Sequence, residues 1–199
     1  MSLLVQLSTW VVFAAVWAGL REEERLQRPR WGILALWCVV AIPSLLQFVL
    51  PGMLESGQRE SAAILAGQWW RLVTSMVLQD GGWYGTAFNL ATLAFTLILV
   101  QPVLRTRVVA ALLVTGGVVG NVLTVLTFGD AGAGNSMATM FLAVTALALA
   151  PERGPRRLVA FGVVVAVTVV KLALADIHGL ALAAALVVAA ALALVARAR

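Results

Sequence analysis

Uninterrupted apolar runs set the terms for this chain. Residues 3–20, 31–50, 86–104, 108–128, 136–150, 158–174 and 176–195 are dominated by Leu, Val, Ala and Ile. Crossing about 30 Å of hydrocarbon takes roughly 20 such residues in a helix. The runs are continuous rather than alternating, which favours helices over the strands of a membrane β-barrel. A soluble domain of 199 residues needs a charged surface, and a chain that is 62% hydrophobic and 12% charged cannot supply one. The expected class is an all-α polytopic membrane protein with seven spans and no soluble domain.

The first run does not read as a signal peptide, because its charged cluster follows it instead of preceding it. That cluster, Arg21-Glu22-Glu23-Glu24-Arg25 with Arg28 and Arg30 behind it, reads as a solvated turn and a topology signal. With the 21–30 loop in the cytoplasm, Arg21, Arg25, Arg28, Arg30, Arg105, Arg107, Arg153, Arg156, Arg157, Arg197 and Arg199 all fall on the cytoplasmic side. Only Arg59, Arg71 and Lys171 fall outside. This positive-inside bias predicts a multi-pass protein of the plasma (inner) membrane with its amino terminus outside and its carboxyl terminus cytoplasmic. The net charge of +5 therefore serves orientation and implies no nucleic-acid partner.

The 51–85 segment is the longest stretch between runs. It carries Trp69, Trp70 and Trp83, read as anchors at headgroup depth, and Arg71, read as a hydrogen-bonding tie for the loop. Pro43 is expected to kink the second span. Gly116 and Gly120 lie four apart, the spacing that lets two helices approach closely, and Asn121 beside them reads as a helix–helix hydrogen bond. One cysteine, Cys38, permits no internal disulfide, and one histidine, His178, excludes a histidine-rich metal centre. No cofactor and no metal is expected.

The stretch Gly132-Ala133-Gly134-Asn135-Ser136-Met137 joins the fourth and fifth runs. The fifth run is too short to cross fully, so its first residues should start below the outer surface. Irregular backbone at that depth requires protein cover or a water-filled cavity, so the 129–135 loop implies a wet pocket opening outward. Depth can be measured from the charged cytoplasmic ends at a rise of about 1.5 Å per residue. Ser136 lies about 25 Å above Arg153, His178 about 28 Å above Arg197, and Asn89 about 24 Å above Arg105. Three helices thus bring a hydroxyl, an imidazole and a carboxamide to one level.

A serine needs a base to become a nucleophile, and His178 is the sole histidine available. At a helix start the dipole favours the neutral imidazole that a base requires. Asp176 lies two residues away and is assigned to capping, not to a third catalytic position, because two such side chains on one helix face different ways. Asn89 and the backbone N–H groups of Ser136 and of a neighbour in the loop are candidate oxyanion donors. Gly134 would let a substrate backbone approach, with Asn135 and Met137 lining that approach. Ala181, Ala185, Ala189 and Ala193 form a small-residue stripe expected to press on the helix bearing Ser136. The bland alternatives are a capping serine, an interfacial histidine and an Asn89 that only joins two helices.

These residues together resemble the rhomboid family of intramembrane serine proteases. Gly67-Gln68-Trp69-Trp70-Arg71 is similar to the family's Trp-Arg loop, Trp83 to Asn89 to the opening of its second core helix, and Gly134-Asn135-Ser136 to its G-x-S motif. His178 matches the histidine of the sixth core helix. The resemblance spans about residues 31–196 and implies an extra helix (1–30) ahead of a six-helix membrane domain (31–199). It implies Ser136 as nucleophile, His178 as base and Asn89 as oxyanion donor, acting without cofactor on transmembrane protein substrates near their outer ends. An aromatic residue that packs on the family's imidazole would fall at Met140 or Phe141. The pattern departs from the family at Met137, usually glycine, at Gly85, usually an oxyanion-binding histidine, and at Gln79, where a loop histidine is usual. Asn135 and Gln79 are candidates to replace the missing donor. The departures leave a second expectation open: a rhomboid-like protein that binds transmembrane client helices without cleaving them. A third, a small transporter or channel subunit, would want paired mid-span charges, which the sequence scarcely has.

Overall fold

The computed structural model describes residues 3–20, 28–150 and 154–197 and is all-helical there. The expected turn at Arg21–Arg25, together with Pro151, Arg153 and Arg199, lies outside the described residues. Seven long helices appear among the described residues: α1 (Leu3–Leu20), α2 (Trp31–Leu46), α6 (Gly82–Val100), α7 (Thr106–Thr127), α8 (Ser136–Leu149), α9 (Pro155–Ala173) and α10 (Ile177–Arg197). Three short helices, α3 (Met53–Gly57), α4 (Ser61–Leu65) and α5 (Arg71–Thr74), break up the 51–85 loop, which the apolar pattern left without helices. Of the long helices, α6, α7 and α10 are long and apolar enough to span a membrane, while α1, α2 and α8 are apolar but shorter. The chain thus has the character of a membrane protein, with three helices long and apolar enough to span among the described residues.

The short α8 is the centre of the bundle. Eleven consecutive residues, Met137 to Leu147, are buried. A helix apolar all round belongs in a core, and α8 is surrounded by α1, α6, α7, α9 and α10. Its carboxyl-terminal end is finished by Arg157, whose guanidinium donates to the carbonyls of Ala150 (2.5 Å) and Ala148. A cation there meets the negative end of the helix dipole and supplies donors for unpaired carbonyls.

Glycines explain how α7 fits against α8. A Cβ on Gly116 would lie 2.5 Å from Phe141, and one on Gly120 would lie 3.2 Å from Cβ of Met137. The Gly-x-x-x-Gly pair therefore accepts two side chains one helical turn apart on α8. On the other side, Ala181 and Ala185 of α10 are fully buried and Ala189 nearly so, with α8 as the main neighbour of α10. The stripe ends there, since Ala193 is exposed.

The helix α1 is built into the bundle. Trp10 packs edge-on against Phe88 of α6 with ring centroids 4.6 Å apart, and Trp17 does the same with Phe95 at 4.5 Å. Trp17 Nε1 donates to Thr96 Oγ1 at 3.1 Å. On its other flank α1 lies along α9.

The 51–85 loop is tied by Arg71, as expected. Its Nε donates to Gln68 Oε1 (2.7 Å), and Nη1 donates to the carbonyls of Glu55 and Gln58 (both 2.9 Å). Trp69, Trp70 and Trp83 are exposed, and Trp83 stacks on Phe48 at 3.8 Å. Asn121 bridges helix to loop: its amide donates to the Leu72 carbonyl (2.8 Å) and Ser75 Oγ (3.0 Å), and its oxygen accepts from Arg59 (2.7 Å).

The turn from α9 to α10 closes tightly. Asp176 N–H donates to the Lys171 carbonyl (2.8 Å), and Ala175 N–H donates to the Leu172 carbonyl (3.0 Å). This nested pair is the Schellman arrangement, which calls for a left-handed residue at its centre. Ala175 fills that place with φ of 52°, the sole non-glycine at positive φ among the described residues. An L-residue there costs about 1–2 kcal/mol. Ala175→Gly is therefore expected to stabilise the protein by about 1 kcal/mol, less the extra chain entropy of glycine. A thermal unfolding series in detergent checks it: a midpoint unchanged or lowered would mean the turn is not strained.

Candidate active site

The 129–135 loop is held by other loop segments in place of a helix. Arg59 and Gly132 exchange both backbone hydrogen bonds (2.8 and 2.9 Å). Asp80 accepts from the Ala133 N–H through Oδ2 (2.9 Å) and donates its own N–H to the Ala133 carbonyl (3.2 Å). The Gly134 N–H donates to the Ser75 carbonyl (2.8 Å). Pinned this way, the loop delivers Ser136 as the first residue of α8, beneath a cavity of about 380 Å³. The cavity is lined by Ser136, His178, Asn89, Gly134 and Met137, by Gly81, Tyr84, Gly85 and Phe88 of α6 and the turn before it, and by Gln6, Thr9 and Trp10 of α1.

Ser136 Oγ lies 2.9 Å from His178 Nε2, across 42 positions of chain. Behind the ring, His178 Nδ1 lies 2.6 Å from Asp176 Oδ1. This corrects the exclusion of Asp176. Side chains two residues apart face different ways only when both lie inside the helix, and Asp176 stands immediately before α10. From there its carboxylate folds back over the first turn, accepts the His178 backbone N–H at 2.9 Å, and reaches the ring with the same oxygen. Asp176 is both cap and ring partner. Its other oxygen, Oδ2, accepts from Lys171 Nζ at 2.7 Å.

The carboxyl of Asp176 sits in the turn outside both helices. Burial works to raise its pKa, but the hydrogen bonds and charge of His178, with Lys171 and the His178 backbone N–H, outweigh that and hold it well below the usual carboxylate range. A depressed carboxylate adds stability above its unfolded-state pKa, and that stability is lost only as pH falls through the lower, folded-state value. Asp176 thus stays ionised through the mildly acidic and neutral range. An ionised carboxylate can only accept, so His178 Nδ1 carries a proton, and in the neutral ring Nε2 is then the acceptor facing the Ser136 hydroxyl. That is the tautomer a general base needs.

Asn89 lines the same cavity. A Cβ built on Gly134 would fall 3.2 Å from Asn89 Nδ2 and 3.8 Å from Ser136 Oγ, so Gly134 leaves a narrow open slot between amide and hydroxyl. Asn89 Nδ2 donates one hydrogen to Gln79 Oε1 at 2.7 Å. Gln79 is buried and fully engaged: its amide donates to Ser44 Oγ (3.1 Å) and Asn135 Oδ1 (2.8 Å), and its backbone exchanges hydrogen bonds with the Gln47 side chain (2.8 and 3.0 Å). Asn135 is buried too, its amide donating to the Asn89 carbonyl (3.2 Å) and Thr139 Oγ1 (2.9 Å). Neither the Gln79 nor the Asn135 side-chain amide therefore has a hydrogen to spare for an oxyanion. Both act as struts behind Asn89, and Asn135 does not line the cavity. The N–H groups of Ala133 and Gly134 are likewise spent on Asp80 and Ser75, so the expected loop-neighbour donor is absent from those two positions.

Met137 is buried with its sulfur turned toward α7, 3.9 Å from Thr124 Oγ1, so the bulky residue after the serine does not lie across the hydroxyl. A Cβ on Gly85 would meet nothing within 4 Å, which leaves that part of the cavity wall open. Among the described residues no group of three or more His, Cys, Asp or Glu is placed to hold a metal. No protein-family model, curated protein or solved structure matches this chain.

Proposed function

We propose that the chain is an intramembrane serine protease of rhomboid type, with Ser136 as nucleophile and His178 as base. The observation that carries the reading is the 2.9 Å contact between the Ser136 hydroxyl and His178 Nε2 at the floor of an open cavity, backed by Asp176 on the far ring nitrogen. His178 takes the Ser136 proton as Oγ attacks a substrate carbonyl, and then delivers it to the leaving amine. Water admitted by the cavity hydrolyses the acyl-enzyme by the same exchange. The developing oxyanion is met by the second amide hydrogen of Asn89 and by the Ser136 N–H at the start of α8. Six helices, α2 and α6 to α10, form the rhomboid-like core, with α1 as the additional helix. The substrate is a transmembrane protein presented near its outer end, in a plasma membrane that the chain crosses with its amino terminus outside.

The test is labelling with a fluorophosphonate probe in detergent. The wild type should be labelled and cleave a panel of transmembrane substrates, and Ser136→Ala should do neither. A wild type that is folded yet inert to both would overturn the protease reading and favour the same cavity as a holder of client helices. The open wall at Gly85, which supplies no donor, is the observation on that side.

A further inference from the structure

A buried lysine behind the ring partner has no place yet in this chemistry. Lys171 lies in the last turn of α9 and is fully buried. An ammonium group has three hydrogens to place, and burying it without partners is prohibitively unfavourable. Lys171 Nζ places them on Asp176 Oδ2 (2.7 Å), Thr9 Oγ1 (3.0 Å) and the Val5 carbonyl (3.3 Å). Two of these three acceptors belong to α1. The strained Ala175 turn holds Asp176 directly against Lys171.

The division of labour on Asp176 is informative. Oδ1 serves only His178, through backbone and ring, and Oδ2 serves Lys171. A carboxylate held at one oxygen alone can swing. Held at both, it fixes the plane of the imidazole and the aim of Nε2 at Ser136. We propose that Lys171 is a positioning residue for the base and that α1, by gripping Lys171 through Thr9 and Val5, is a working part of the site and not merely an extra membrane anchor. The proposal rests on the serine hydrolase reading for its catalytic readout. The chain of contacts from Thr9 to His178 has a readout of its own.

That readout is available because His178 is the sole histidine in the chain. Imidazole nitrogen and N–H signals in a ¹⁵N-histidine-labelled full-length sample in micelles belong to one ring. The wild type should show the Nδ1–H tautomer with a strongly downfield, slowly exchanging proton. Lys171→Met keeps the length and removes the charge and donors. It should lose that proton signal, shift toward mixed tautomers, and be labelled by the fluorophosphonate at least about tenfold more slowly. Asp176→Asn should do the same, and the double variant should be no slower than Asp176→Asn alone, since Lys171 acts through Asp176. Thr9→Val, which keeps the lysine and removes one acceptor on α1, should move both readouts the same way by less, and it covers the case in which Lys171→Met does not fold. An unchanged imidazole spectrum in folded Lys171→Met and Thr9→Val would overturn the proposal. So would additive slowing in the double variant. A wild type that shows the tautomer but takes no label would sink the hydrolase reading and leave the positioning contact standing.

Discussion

Replacing His178 by alanine is expected to slow acylation of Ser136 by about 10²–10⁴-fold while the fold stays intact. The imidazole contacts Ser136 on one side and Asp176 on the other, and its side chain retains 13% of its exposure. Removing it opens no core cavity. Asp176 keeps the backbone N–H of residue 178 and the Lys171 ammonium, so no buried charge is stranded. The loss should therefore appear in the rate of fluorophosphonate labelling, with gel-filtration profile and helicity unchanged. Because nucleophile and base act as one unit, adding Ser136→Ala to His178→Ala should take cleavage no lower than Ser136→Ala alone. Labelling of His178→Ala at a rate close to wild type would mean that the serine is activated by something else, or is not a nucleophile at all.

Much of this site could be read from the residues because a helix is a ruler. Fixed rise from the arginine-bearing helix ends sets Ser136, His178 and Asn89 at similar heights along their helices, and all three line one cavity. The shortness of the fifth run was equally informative. A 14-residue helix is too short to cross about 30 Å of hydrocarbon by itself, and α8 is that helix, wrapped by its neighbours. The Gly116–Gly120 spacing indicated a close approach, although only the structure shows that Phe141 and Met137 fill it.

The readings of Asp176 and Gln79 failed for one cause: both depended on conformation outside a helix. Asp176 was set aside on a rule for residues within helices, whereas the turn at Ala175 places it one step before α10. No sequence signal marks that turn, because alanine gives no hint of positive φ. Lys171 reads in the sequence only as a charge on the outer side, with nothing to show that it is buried between α1 and the turn. Gln79 was offered as an oxyanion donor. It lies in irregular backbone, where spacing says nothing about direction, and its amide is turned inward to Ser44 and Asn135. Asp176, Lys171, Gln79 and Asn135 are thus the supports behind His178 and Asn89.

That distinction between support and chemistry makes Asn89 the most informative remaining position. Asn89→Ala is expected to lower kcat by about 10²–10³-fold with KM little changed, the signature of a donor used only in the transition state. The same substitution leaves Gln79 Oε1, buried and otherwise paired with Asn89 alone, without its donor, at about 1–3 kcal/mol in stability. The two effects are separable. If Asn89 were only a link between α6 and the 79–80 loop, its loss would lower the unfolding midpoint and leave turnover per folded molecule near wild type. If it meets the oxyanion, turnover falls at temperatures far below the midpoint, where every molecule is folded. Cleavage measured at low temperature alongside a thermal melt decides between them. Because the N–H groups of Ala133 and Gly134 and the amides of Gln79 and Asn135 are all engaged elsewhere, few donors remain to compensate, so the kinetic loss should lie toward the upper end of that range.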